Sequence, residues 1–284
     1  MNSWKARVFV IMIALSLGSL AFAQVTLPRP SPKASVSQVI GLTEVKLSYS
    51  RPGVKNRVIW GGLVPYDKVW RTGANEATTI SFSDNVKIEG QALAAGTYAL
   101  FTIPGQTEWT VIFNKNADQW GSTDYKQDQD VLRVKVKPDT APMQEWMGFA
   151  FQNLALESGE VVLRWEKLQV KFSVQVDTAG KVMASCRGGM AGLKADDWRT
   201  PYRCADFSLD NKGDEKEAMQ WLDKSLSTKE TFFNLGLKAE VLAKAGKRAE
   251  ALAAANKALT LTQDVPEEDV APLKKKVEEW SKAQ

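Results

Sequence analysis

Between residues 34 and 176 the chain is a succession of short segments in which apolar and polar residues alternate. In the clearest, Leu168, Val170, Phe172, Val174 and Val176 occupy one set of alternate positions. Gln169, Lys171, Ser173 and Gln175 occupy the other. Successive side chains of a strand point to opposite faces, so this pattern buries one face and wets the other. Similar segments lie at 34–40, 45–49, 78–82, 86–88, 97–103, 109–113, 131–136, 146–156 and 161–176. Turn chemistry separates many of them: Arg51-Pro52-Gly53, Asp84-Asn85, Glu89-Gly90 and Pro104-Gly105. Nine or ten such strands with no helix between them restrict the fold to an antiparallel sandwich or barrel. The expectation is a β-sandwich over residues 34–176.

The period then changes. Residues 177–197 are rich in Gly, Ala and Ser and read as a linker. Beyond them the apolar residues recur about every 3.6 positions, as in amphipathic helices at 215–225 and 248–259. These two helices resemble each other: Ala218, Ser225 and Leu226 align with Ala251, Ala258 and Leu259 at an offset of about 33 residues. An internal repeat of that length signals stacked helical hairpins. Residues 198–209 and 231–245 supply the first helix of each hairpin, the latter stopped by Gly246. Residues 266–283 read as a capping helix. The fold class expected is therefore α+β multidomain, a β-sandwich followed by a short helical-hairpin array over 198–284.

Composition narrows the chemistry. The 284 residues contain no histidine, which excludes Ser-His-Asp and Cys-His catalysis and any His-ligated metal. Asp124, Asp128 and Asp130 form the one local run suited to a hard cation, and a solvated loop is the preferred reading; no metal and no cofactor is expected. Lysine and arginine number 37 against 33 acids, without a basic run, so nucleic acid is not an expected partner. At the N-terminus Lys5 and Arg7 precede an apolar stretch at 8–20 and the small-x-small sequence Ala21-Phe22-Ala23. This is the pattern of a secretion signal over 1–23, with Gln24 opening a proline-rich lead-in at 24–33. An exported protein, in the periplasm or secreted, with no membrane span after cleavage is expected.

The segment 64–79, VPYDKVWRTGANEATT, matches neither a strand nor an ordinary loop. It gathers Trp70, Arg71, Asn75 and Glu76 around Gly73. The preceding loop, 51–62, adds Arg51, Arg57 and Trp60. Two readings stand. In one, Arg71 and Glu76 pair with each other and staple the loop. In the other they form a recognition surface: Arg71 for an anion or carboxylate, Asn75 and Glu76 for hydroxyls, and Trp60, Trp70 or Trp120 for stacking on a glycan or peptide. Hydrolysis by Glu76 with Asp67 or Glu108 is the enzymatic alternative. No nucleophile elbow, phosphate loop or dinucleotide fingerprint is present. Cys186 and Cys204 are expected to form a disulfide in an oxidising compartment, the alternative being two buried thiols.

The residues SPKASVSQVIG (31–41), YSRPGVKNRVIWGGLVPYDKVWRTGANEATT (49–79), LAAGTYALFTIP (93–104) and EWTVIFN (108–114) resemble a family of exported bacterial proteins defined by a domain of unknown function, DUF2911. The likeness covers residues 31–176 and implies export and domain limits but no activity. Asn56 stands where that family's turn would carry glycine, and asparagine can adopt the left-handed conformation required. Residues 198–261 are similar to tetratricopeptide repeats, with Gly236, Ala239, Ala251 and Ala258 at positions of close helix approach. Such an array implies a protein partner or self-association. The combined reading is an exported, non-catalytic binding or scaffolding protein. The alternatives are a carboxylate-based hydrolase of glycans or envelope material and a purely structural assembly protein.

Overall fold

A computed structural model describes residues 27–282. The signal segment and the first residues of the lead-in lie outside them. Two antiparallel sheets face each other across one core. The first contains β1 (Lys33–Ile40), β2 (Thr43–Ser50), β3 (Thr78–Phe82), β6 (Gly96–Ile103), β7 (Trp109–Asn114) and β8 (Asp130–Val136), side by side in that order. The second runs β5 (Gln91–Leu93), β4 (Val86–Ile88), β10 (Ser158–Gln175), β9 (Pro138–Gln152). Alternation sets the register: Val45 lies opposite Phe82 and Leu47 opposite Ile80, and all four are buried. A one-residue slip would turn this row to solvent.

β9 starts well before the expected 146, at Pro138. The added length contains prolines at 138 and 142, and β9 is the outermost strand of its sheet. An edge strand tolerates a residue that cannot donate to a ladder.

The expected linker at 177–197 is a helix for most of its length. α1 (Thr178–Met190) is capped by Asp177, whose carboxylate accepts from the Gly180 amide. Its glycines weaken it, and tertiary anchors compensate. Met183 and Cys186 are buried against Cys204, Ala205, Trp221 and Leu222, and Cys186 is disulfide-bonded to Cys204. At the other end Thr178 Oγ1 donates to Leu156 O (2.7 Å), the Ala179 amide donates to Glu157 Oε1 (2.7 Å), and Lys181 forms an ion pair with Asp84. Gly41 lies against this joint with φ +57°, and a Cβ there would collide with Thr178 Oγ1. α1 is therefore fixed to the sandwich at one end and cross-linked to the helical half at the other.

α2 (Arg199–Asp210) packs on α3 (Glu215–Thr228), α4 (Phe232–Lys244) on α5 (Arg248–Leu259), and α6 (Glu267–Lys282) on α5. The starts of α2 and α4, and those of α3 and α5, are each 33 positions apart. Ala218, Ala239, Ala251 and Ala258 are fully buried where the helices meet. Asn234, also fully buried, joins three helix ends. Its Nδ2 donates to Ser225 Oγ (2.9 Å) and Lys229 O (2.8 Å), and its Oδ1 accepts from the Thr231 amide (2.8 Å). Ser225 Oγ in turn donates to Trp198 O (2.8 Å). No helix among the described residues is long and apolar enough to cross a membrane.

Candidate functional site

The site residues expected from sequence lie on the connection from β2 to β3, residues 51–77. Its backbone is pinned at intervals. The Arg57 amide bonds to Val54 O (3.0 Å), Trp70 and Thr102 exchange bonds of 2.7 and 2.9 Å, the Ala77 amide bonds to Gln119 O (2.9 Å), and the Gly121 amide bonds to Asn75 O (3.1 Å). Lys55 and Asn56 both have positive φ, at 48° and 56°, so Asn56 does take the left-handed conformation. Thr72, a β-branched residue, has φ +53°, a costly geometry. Three contacts impose it. Thr72 Oγ1 donates to Trp70 O (3.3 Å) and lies 3.1 Å from Thr102 Oγ1, and Thr72 O accepts from Thr78 Oγ1 (2.7 Å).

The tryptophans of this connection point inward and pack on the scaffold rather than forming a stacking platform. Trp70 is 9% exposed. Its ring is stacked with that of Trp165 at 5.9 Å, and Trp60 meets Trp70, Trp109 and Trp165 edge-on at 5.9, 5.0 and 5.8 Å. Aromatic pairs at these separations contribute beyond their area alone. The connection thus plugs the core with two indoles. Of the three loop tryptophans, Trp120 alone is largely exposed, at 60%.

Arg71 and Glu76 do not pair. Glu76 Oε1 accepts from Arg29 Nη1 at 2.6 Å, a residue of the lead-in that the sequence did not mark. This bond, first among the causes, holds the Glu76 carboxyl below its usual range. Asn75 Nδ2 donates to Ser31 O (3.2 Å), and the Arg51 amide donates to Pro32 O (2.8 Å). The described part of the lead-in is therefore strapped across the loop. The Arg51 side chain is also engaged, its Nε donating to Met147 O (2.7 Å). Arg57 donates from Nε and Nη2 to Val54 O (3.1 Å) and Gly53 O (2.6 Å), carbonyls of its own turn.

Arg71 is different. Its guanidinium is half-buried, its Nε is fully buried without a hydrogen-bond partner, and no ion pair reaches it from the described residues. Burial lowers its pKa from the ordinary arginine value. It borders a cavity of about 190 Å³ together with Arg57, Ser31, Trp70, Gly73 and Trp165. Of the seven residues expected to form a site, only Arg57, Trp70 and Arg71 reach this cavity. The other four hold the loop or fill the core.

The ion pair that Glu76 makes is with Arg29, and Glu108 has a basic partner of its own. Glu108 is paired with Lys135 at 3.0 Å. The acidic run at 124–130 is not gathered either: Asp130 accepts from Tyr125 Oη (2.6 Å) and Asn114 Nδ2 (2.8 Å), and no metal-type cluster occurs among the described residues.

A family model described as a protein of unknown function, DUF2911, matches residues 31–174, just over half of the chain. The chain belongs to this family. The DUF2911 match opens at Ser31, so it takes in the strap residues Ser31 and Pro32 along with the whole 51–77 connection. It ends inside β10, leaving the helices outside it. No curated protein and no solved structure matches the chain.

Proposed function

We propose that this DUF2911 protein is an exported binding protein whose β-sandwich receives an anionic end group at Arg71. The observation that carries this reading is the half-buried guanidinium with no counter-charge, opening on a preformed cavity. A charge removed from water without a partner is costly, and guanidinium is suited to carboxylate and phosphate oxygens through paired hydrogen bonds. Arg57 borders the same cavity and adds positive charge. The volume is below the ~300–1,000 Å³ of sites that engulf a drug-sized ligand. It suits a carboxylate, phosphate or sulfate at the end of a larger glycan or peptide. Export follows from the N-terminal signal pattern, and the periplasm is the compartment we favour. The hydrolytic alternative is less well supported, since a general acid needs a raised pKa and Glu76 is held low.

Trp70 and Trp165 line the cavity, so their emission serves as an internal probe. Acetate, phosphate and sulfate, each titrated against sodium chloride at matched ionic strength, should give a saturable change with at least one anion. Arg71→Met should abolish it. An identical response in the variant, or no response to any of the three, overturns the proposal.

A further inference from the structure

A second concavity lies in the helical half. It is a groove of about 590 Å³ between α2, α4 and α6. Its apolar lining includes Leu209, Phe233, Leu237, Val241 and Leu273. Phe233 is 37% exposed, with its ring parallel to Trp198 at 6.5 Å and tilted toward Tyr202 at 6.1 Å. The charges around this lining are mostly of one sign. Asp206, Asp210, Glu215, Glu240 and Asp269 stand against Lys212 and Lys244. Glu240 is met by Lys276 at 2.6 Å. Asp206 has no hydrogen-bond or ion-pair partner among the described residues. Burial raises its pKa, and Asp210 and Glu240 raise it further. Tyr202 responds to the same field: burial and then Asp206, Glu240 and Asp210 push it up to about 12.

We infer that this groove docks a cationic, partly apolar peptide segment of a partner protein, one carrying lysine or arginine next to a bulky apolar side chain. Charge complementarity decides the occupant. An acidic segment would add to a field that is already net negative, and a purely apolar one would leave Asp206 half-buried and unanswered. A lysine or arginine head would neutralise the Asp206–Asp210 edge and lie against the exposed faces of Phe233 and Tyr202, where cation–π attraction adds to the ion pair. Its apolar neighbour would cover Leu237, Val241 and Leu273. The volume accommodates a few side chains, as expected where a short segment anchors in a helical groove. This inference does not depend on the Arg71 site.

The test uses the full oxidised chain and two labelled twelve-residue probes of identical leucine spacing, one with lysine and one with glutamate at the polar positions. Fluorescence anisotropy should show saturable binding of the lysine peptide, at least tenfold tighter than the glutamate peptide and weakening as salt rises. The double substitution Asp206→Asn with Asp210→Asn should reduce affinity at least tenfold. Lys244→Glu, on the opposite rim and exposed, should tighten binding; this variant keeps the inference testable if the double variant folds poorly. Equal binding of the two peptides, no binding of either, or unchanged affinity in the folded variants overturns the inference. So does sedimentation showing that the groove is covered by a second copy of the chain.

Discussion

Arg71→Met separates a residue kept for binding from one kept for stability. Methionine retains an unbranched stem and removes the guanidinium. If Arg71 were a staple, its loss would strand a partner group and cost several kcal/mol, as breaking a buried ion pair does. The structure gives it no such partner. An unsatisfied buried donor costs about 1–3 kcal/mol. Only Nε is fully enclosed and the rest of the group reaches water, so the lower part of that range applies. We expect the substitution to change stability by between zero and about +1 kcal/mol, in the stabilising direction. Urea denaturation followed by tryptophan emission reports on the sandwich, where Trp60 clusters with three other indoles. At an unchanged slope of about 1–3 kcal/mol per molar, a gain of that size raises the midpoint by up to roughly 1 M. Saturating anion should raise the midpoint of the wild type and leave the variant unmoved, because only a protein that binds is stabilised by ligand. A fall equivalent to more than ~1 kcal/mol at constant slope would show that Arg71 holds structure, and the reasoning would fail.

Two further outcomes follow from the strap and from the helix joint. Glu76→Gln should release residues 29–32 from the loop, seen as faster proteolysis at Arg29 and faster exchange of the Arg51 amide. Because Arg29 and Glu76 are 51% and 37% exposed, the global cost should stay within about 0.2–1 kcal/mol. The Glu76 carboxyl is depressed in the folded state, so its contribution is present above pH 4.5, its unperturbed value, and is lost as acidification protonates it. A wild-type strap that loosens instead on raising the pH from 5 to 8 would refute this. Asn234→Leu removes both ends of a fully buried network and leaves Ser225 Oγ, Lys229 O and the Thr231 amide without one partner each. A loss of about 2–4 kcal/mol is expected in the helical transition, measured by far-ultraviolet circular dichroism. A loss below ~1 kcal/mol would mean that water replaces the asparagine.

Strand periodicity made most of the sandwich legible, because burial of one face writes a period of two into the sequence. The 33-residue offset between α3 and α5 likewise writes the repeat of helix pairs into the sequence. The sequence failed where tertiary context overrides local preference. α1 is poor in helix formers and is stabilised by its cap, the disulfide and Met183; β9 carries prolines that only an edge position excuses. The loop stands out in the sequence, yet its pairing does not. Arg71 and Glu76 are five residues apart and oppositely charged, and nothing local reveals that Arg29, 47 residues upstream of Glu76, claims the carboxylate. Trp60 and Trp70 stayed open between stacking on a ligand and packing on the scaffold for a related reason: a tryptophan in an irregular segment carries no periodicity to say which way it faces. The groove in the helical half left no mark, since its acids come from four separate segments.

β2 and β3 are neighbours and antiparallel, so a turn of two residues could join them. The chain instead makes an excursion over residues 51–77. It cannot be trimmed as an ornament, because it delivers Trp60 and Trp70 to the centre of the domain, and emptying such positions costs about 3–5 kcal/mol each. Completing the core and closing the loop are therefore one cooperative event. A ligand arriving at Arg71 should meet a cavity already in shape. Its binding would carry little ordering entropy, and its association rate should be governed by diffusion and charge rather than by waiting for the loop to close.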